Sequence, residues 1–200
     1  MNDRLAYFDA MYSADADPYA VRTRWYEQRK RDVLLAALPR ARYVNAFEPG
    51  CGTGALTVQL AQRCDQVLAS DFSGPAVASA RARTEGLAHV RIARQTLPDE
   101  WPGAQGPFDL IVVSEIGYFL TEDAMDALAQ QCAASLAADG TLVACDWRPE
   151  FAERVLPTER VHAAFTALGL PRCARHEEDD FLLQVWTRDP RSVAQREGIR

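Results

Sequence analysis

A strand-like run at residues 43–47 ends in Glu48-Pro49-Gly50-Cys51-Gly52-Thr53-Gly54, and a helix-like run at 55–63 follows at once. Glycines spaced this closely between a strand and a helix let the backbone turn sharply and approach a ligand. Asp71 stands 17 residues past Gly54. It closes the next strand-like run, placed to accept both hydroxyls of a ribose. A tight turn with a solvated strand-end aspartate is the plainer alternative. The order strand, turn, helix, strand argues against it.

The alternation continues along the chain. Asp17-Pro18 marks a helix start, and Val21, Trp25, Val33, Leu34 and Leu38 recur near helical spacing until Pro39. After the glycine turn come a strand at 66–70, a helix opened by Ser73 and Pro75 and reaching Thr84, and strands at 89–93 and 108–114. The unbroken apolar run of the last suits a strand covered on both faces. Thr121 caps a helix through Leu136, Asp139-Gly140 turns the chain, a fifth strand occupies 141–146, and Pro157-Thr158 starts a helix ending near Leu168-Gly169. Residues 172–177 and 181–187 pair as an antiparallel hairpin through Asp179-Asp180. This order predicts an α/β fold: a doubly wound, mainly parallel seven-stranded sheet closed by an antiparallel C-terminal hairpin, with helices on both faces. One domain fills the 200 residues, with a helical lid over 1–40, a core over 41–188 and a mobile tail over 189–200. Ligands bind such sheets outside the carboxyl ends of the strands, where the glycine turn, Asp71, Ser114-Glu115 and Asp146-Trp147 all fall.

Composition narrows the partners. With 22 Lys+Arg against 28 Asp+Glu the net charge is −6, and 48% of residues are hydrophobic. The chain is thus neither disordered nor built for general binding to nucleic acid or an anionic membrane, while a cationic partner is compatible. Lys30 is the one lysine beside 21 arginines, a skew that reads as the coding bias of a GC-rich genome. It weakens any argument from a single arginine. Five cysteines without CxxC spacing indicate neither a disulfide framework nor a zinc site, and no metal is expected. Met1-Asn2-Asp3-Arg4, leading to Asp15 and Asp17, is no signal peptide, and the longest apolar stretch, 108–120, is too short to span a bilayer. A soluble, cytoplasmic protein with a small-molecule partner is expected; oligomeric state is not legible.

The runs VNAFEPGCGTGALTVQLA (44–61) and VLASDFS (67–73) resemble the cofactor site of the Rossmann-like S-adenosyl-L-methionine (SAM) methyltransferases. The resemblance implies that Glu48 helps hold the methionine amino group, that Gly50, Cys51, Gly52 and Gly54 line the methionine, and that Asp71 holds the ribose. Phe72, Gln95, Thr96, Leu97 and Ser114 are the further cofactor candidates. The turn also fits a dinucleotide pattern, but an acid two places before Gly50 would repel a pyrophosphate and suits an ammonium and a sulfonium. Asp17-Pro18 with RTRWYEQRKR (22–31), FDLIVVSEIGYF (108–119) and DDFLLQVW (179–186) together resemble the nodulation protein S type, over about residues 7–188. That family N-methylates the deacetylated amino sugar at the end of a chitooligosaccharide. Two departures stand out: Asp146-Trp147-Arg148 where many members have His-Trp-Arg, and Arg94-Gln95-Thr96-Leu97 where many SAM enzymes place an acid near the adenine. Gln95 can supply an amide oxygen there.

Methyl transfer from SAM asks the protein mainly to position two reactants and exclude water. An amine acceptor must be unprotonated, so a nearby carboxylate or imidazole can take its proton. Glu115 is the first candidate, followed by Asp146 and His162. The competing readings are a loop or capping carboxylate for Glu115, a salt bridge to Arg148 or Arg154 for Asp146, and a structural buried histidine for His162. The lid is expected to bring Arg29 to the methionine carboxylate, and Tyr12, Trp25 and Tyr26, with Tyr118 and Trp147, to the acceptor. Cys51, near a helix N-terminus, has either a lowered pKa or a packing role against the cofactor. An O- or carboxyl-methyltransferase, a SAM-fold binding module without transfer activity, and a nicotinamide oxidoreductase are the alternatives.

Overall fold

The computed structural model describes residues 2–200. Strands β1 (Tyr43–Pro49), β2 (Cys64–Asp71), β3 (Val90–Arg94), β4 (Phe108–Ser114), β5 (Leu136–Trp147), β6 (Arg172–Glu177) and β7 (Phe181–Thr187) form one sheet in the order β3-β2-β1-β4-β5-β7-β6. The first five run parallel, and β7 lies antiparallel between β5 and β6. This is the mainly parallel sheet with a closing antiparallel hairpin that the βα alternation predicts. Around it lie α1 (Asn2–Ala14), α2 (Trp25–Ala37), α3 (Ala55–Ala61), α4 (Gly74–Arg83), α5 (Glu122–Ser135), α6 (Thr158–Thr166) and α7 (Val193–Arg196).

Alternation along β4 divides the core. Ile111 and Val113 join Phe47, Met125, Leu128, Phe165 and Trp186 on one face, whereas Leu110 and Val112 join Leu34, Leu56, Leu60 and Val143 on the other. Both faces of β4 are therefore dry, which is why its sequence is an unbroken apolar run.

Two local expectations are corrected, and one detail is added in the tail. The helix expected from Asp17-Pro18 starts at Trp25, because the Asp17 carboxylate accepts the Val21 and Arg22 N–H groups (2.9 and 3.1 Å) and closes a separate turn. Asp139-Gly140, expected to turn the chain before a strand at 141, lies inside β5. There the register with β4 shifts from Phe108–Leu136 to Leu110–Thr141, so the extra residues bulge and pairing resumes. The tail carries α7, closed by a reciprocal capping box between Ser192 and Gln195.

Within the helical segment expected over 1–40, the sequence reading does not delimit α1. Asp9 accepts from Ser73 Oγ (2.7 Å) and Gly74 N (3.2 Å), the Tyr7 hydroxyl donates to Glu153 (2.9 Å), and Arg4 donates to the Phe119 carbonyl. α1 thus bridges the loops that follow β2 and β4. Among the described residues no helix is long and apolar enough to cross a membrane.

The loop after β4 is held by close packing at Gly117, where a Cβ would sit 2.4 Å from Val161 Cγ1 of α6 and 3.2 Å from the Met125 sulfur. Gly117→Ala should therefore destabilise the fold by about 1–3 kcal/mol, read as a lowered urea midpoint at unchanged slope.

Candidate active site

β1 ends in Pro49, and Gly50, Gly52 and Gly54 all adopt left-handed φ (+71°, +52° and +77°). Gly50 is required twice over, since a Cβ there would lie 2.1 Å from Ile116 Cγ2 in the loop after β4. Asp71, at the end of β2, reaches back across the turn. Its Oδ2 accepts from Gly52 N (3.0 Å) and its Oδ1 from Ser73 N (2.9 Å). Burial pushes its carboxyl up, against the pull of these backbone donors.

Glu48 lies beneath the turn, buried, with Thr57 Oγ1 donating to Oε2 at 2.6 Å. Among the described residues no cation pairs with it. Burial pushes its carboxyl up to about 8, Thr57 opposing. A buried carboxyl short of a cation, facing a turn whose other acid is Asp71, fits a ligand with an ammonium at one end and vicinal hydroxyls at the other. The Cys51 thiol is raised by burial rather than lowered, and Sγ lies 3.8 Å from the Gly52 carbonyl, a packing environment.

The remaining cofactor candidates are placed as follows. Phe72 packs edge-on against Phe8 of α1 (5.4 Å). Gln95 donates to the Glu100 carbonyl (3.1 Å) and keeps a buried Oε1 with no partner; Thr96 N donates to the Glu100 carboxylate (2.6 Å). Leu97 packs against the core, and Ser114 ends β4 opposite Cys145. Arg29, expected near a methionine carboxylate, is instead held by both oxygens of Glu178 on the hairpin (2.5 and 2.8 Å). Arg29 first, and then His176, pull that carboxylate down to about 2.

A different guanidinium, Arg83, reaches the glycine turn, with Arg22 and Arg31 as its neighbours. Arg83 donates to the Thr53 carbonyl (2.7 Å), and its pKa is lowered by burial and by neighbouring Arg22 and Arg31, with Asp17 opposing. Arg31 donates to the Val21 carbonyl (2.8 Å) and leaves a buried Nε without a partner. Three cations with one facing acid suit a carboxylate.

At the end of β4, Glu115 adopts φ +62°, a left-handed conformation uncommon outside glycine. Its Oε1 accepts from Lys30 Nζ (2.6 Å), and its Oε2 accepts from the Tyr118 hydroxyl (2.5 Å) and Trp147 N (3.0 Å). Lys30 is buried, 3.2 Å from Glu27 and 5.1 Å over the Tyr26 ring. Burial pulls its ammonium down, but Glu115 and Glu27 together outweigh that and hold it above its ordinary value. Helix α2 is thereby tied to the sheet by the only lysine in the chain. Its rarity, set aside as codon bias, was the signal that it differs from the other cations.

Asp146 and His162 are both buried, with His162 Nε2 3.2 Å from Asp146 Oδ2, near enough for charge contact but not aligned as a hydrogen bond. Burial raises the Asp146 carboxyl, and His162 pulls it the other way. His162 Nδ1 contacts Gln184 Oε1 (2.9 Å), so the imidazole joins α6 to β7. Neither Arg148 nor Arg154 takes Asp146: Arg148 pairs with Glu159 and Glu177, and Arg154 binds backbone carbonyls.

Of the aromatic candidates, Trp147 and Tyr26 meet edge-on (5.5 Å), and Tyr118 packs on Phe119 and Phe151. Tyr12 brings its hydroxyl to within 3.2 Å of where a Gly52 Cβ would be. Trp25 is 68% exposed and stands clear of the core. Tyr19 went unnoticed in the sequence; 44% exposed, its ring lies edge-on to that of Tyr12 (6.5 Å), and desolvation, then Tyr7, Glu153, Asp71 and Glu115, push its phenol up to about 12.

Comparison with known proteins identifies the fold and the family. A family model described as a methyltransferase domain matches residues 46–140. A putative methyltransferase from Pseudomonas syringae is 44% identical, with a TM-score of 0.74 over 82% of this chain and 100% of that one. The chain belongs to the SAM-dependent methyltransferases. This methyltransferase also resembles the N-methyltransferase NodS from Bradyrhizobium japonicum WM9, solved in complex with S-adenosyl-L-homocysteine: 26% identity and a TM-score of 0.81 over 92% of this chain and 97% of that one. Nodulation protein S of Bradyrhizobium diazoefficiens is 31% identical over 140 residues, 69% of this chain, and that of Sinorhizobium fredii is 31% identical over 110 residues, 54% of this chain. The matched segments span 66% and 50% of those relatives' lengths.

With Glu48 as the partner of the ligand's ammonium, cofactor binding is expected to depend on pH. A ligand ammonium needs the ionised carboxylate, which in the free protein titrates at about 8. Below that pH, binding must release the Glu48 proton, so S-adenosyl-L-homocysteine affinity should rise about ten-fold per pH unit on approach to 8 and then level off. Calorimetry in buffers of different ionisation enthalpy reads the released proton, and Glu48→Gln should abolish both the release and the slope. Equal affinity across that range would contradict it.

Proposed function

We propose that this chain transfers a methyl group from SAM to the amino group of a small acceptor, of the class represented by a deacetylated amino sugar in a chitooligosaccharide. The observation that carries the reading is the junction of two segments, 22–31 and 108–119, through the Lys30–Glu115 pair. These are the runs that resemble nodulation protein S most specifically, and they meet at a strand end beside the glycine turn. The likeness to NodS over nearly the whole chain supports the same acceptor class.

SAM supplies a methyl carbon already activated by its sulfonium, so no covalent nucleophile is asked of the protein. In this reading Glu48 and the Arg22, Arg31 and Arg83 group hold the two ends of the methionine, and Asp71 takes the ribose hydroxyls. Gln95, with its unpartnered oxygen, faces the adenine amino group. Glu115 accepts an N–H of the incoming amine and orients its lone pair, while Tyr118, Tyr26, Trp147 and Tyr19 wall the acceptor. Asp146 and His162 hold the end of β5 from behind as positioning groups.

Calorimetry with S-adenosyl-L-homocysteine, followed by turnover of deacetylated chitooligosaccharides, free glucosamine and small amines, tests the proposal. We expect binding that Asp71→Ala weakens at least ten-fold, and methylation of amines but not of their N-acetylated forms. Methylation confined to hydroxyl or carboxyl acceptors would move the reading to an O- or carboxyl-methyltransferase; cofactor binding without turnover of any acceptor would favour a binding module. Glu115→Gln should leave cofactor affinity within about two-fold and lower turnover.

A further inference from the structure

Glu115 already receives three donors before any acceptor arrives: Lys30 Nζ, the Tyr118 hydroxyl and Trp147 N. A carboxylate offers about four lone-pair directions, so one remains, and the side chain is 27% exposed. A neutral amine can donate an N–H into that direction and keep its own lone pair for attack. A protonated amine would bring a second cation to a carboxylate that Lys30 already neutralises, and it has no lone pair to use. We propose that Lys30 is a selectivity residue of the methyl-transfer site: its ammonium, fixed on Glu115, admits the acceptor amine as the free base and disfavours the protonated form. This rests on the amine reading of the site given above.

The surroundings favour a lysine over the arginine used at every other cationic position. Its compact ammonium meets Glu115 at 2.6 Å and Glu27 at 3.2 Å while lying over the Tyr26 ring. A guanidinium fork would claim both Glu115 oxygens and compete with the Tyr118 and Trp147 donors. The titratable neighbours are few and opposed in sign. Glu27 and Tyr26 face the pair from α2, Tyr118 from the loop after β4 and Tyr19 from the N-terminal segment. Cys145 and Asp146 face it from β5, with His162 behind Asp146 on α6. Arg154 is a second cation nearby, stacked 5.0 Å over the Tyr118 ring and donating to the Trp147 carbonyl (2.7 Å), but it makes no ion pair with Glu115, so Lys30 is the cation that meets the carboxylate; His162 is directed at Asp146 and Gln184.

In the transfer, the amine lone pair forms the new N–CH3 bond while the S–CH3 bonding pair stays on sulfur, leaving the neutral thioether. The product is a cationic amine, whose proton then passes to solvent. Lys30 enters by keeping the reactant neutral before that step and by disfavouring the charged product after it.

The test compares wild type, Lys30→Met and Lys30→Arg with a deacetylated chitooligosaccharide, following kcat and KM against pH. In Lys30→Met, Glu115 and Glu27 are free to stabilise the acceptor's ammonium, so KM near neutral pH should fall about ten-fold and the acid limb of kcat should move up by about one pH unit. Lys30→Arg keeps the cation, and its limb should stay within about 0.3 pH units of wild type whatever its turnover. An unmoved limb and KM in a Lys30→Met protein that binds S-adenosyl-L-homocysteine normally would overturn the role of Lys30 alone. A wild type that binds S-adenosyl-L-homocysteine but methylates no amine overturns the amine reading, and this role with it. Should Lys30→Met fail to fold, wild type grown on isotope-labelled lysine gives one side-chain resonance. With S-adenosyl-L-homocysteine and glucosamine present, it should keep its ammonium shift to about pH 10, and titration below about pH 9 would overturn the proposal.

Discussion

β1 has β2 on one side and β4 on the other, so the chain that leaves β1 outward through β2 and β3 must cross back over it to reach β4. The loops after β1 and β4 therefore leave the sheet edge side by side and in opposite senses, which opens a crevice between them. Gly50 and Ile116 mark the point of contact, with no room for even a single added carbon. The glycine turn, the Glu115 loop and the bridge made by α1 are all arranged about that one point. Most of the ligand end of the molecule is a consequence of strand order.

Within the crevice two carboxyls, Glu48 buried and Glu115 half-buried, are accommodated by opposite means. Among the described residues Glu48 has one hydroxyl donor and no paired cation, and its proton is correspondingly hard to remove. Glu115 has a cation and two further donors and sits in a left-handed backbone that aims it at them. The first carboxyl lacks a counter-charge and the second already has one. In the proposed reading this difference separates the half that takes a cation from the half that takes a neutral amine.

The fold was legible because its signals are local and redundant. The strand, glycine turn and helix of 43–63 and the apolar run of β4 announce themselves by period and by glycine chemistry. Errors arose where a competing contact outweighed the expected local signal. Asp17-Pro18 has the form of a helix start, yet its carboxylate closes a turn; Asp139-Gly140 has the form of a hairpin turn, yet the neighbouring β4 carries the strand through it as a bulge. In the site, the glycines and strand-end acids could be read from position alone. The pairings Lys30–Glu115, Arg29–Glu178 and Asp146–His162 join residues far apart in sequence, and no spacing rule reports them.

The placement of β7 bears on how the molecule comes to be folded. β7 is buried along its whole length and fills the gap between β5 and β6, although it is the last strand of the chain. Until residue 187 has been synthesised, β5 presents an unpaired apolar edge, the partner Gln184 of His162 is missing, and one wall of the core formed by Phe181, Leu183 and Val185 does not exist. An open edge of this kind is a template for pairing with other chains. A nascent or truncated chain that stops short of β7 therefore exposes the very strand whose end carries Asp146 and Trp147, and its hazard is aggregation during synthesis rather than a weakened active site.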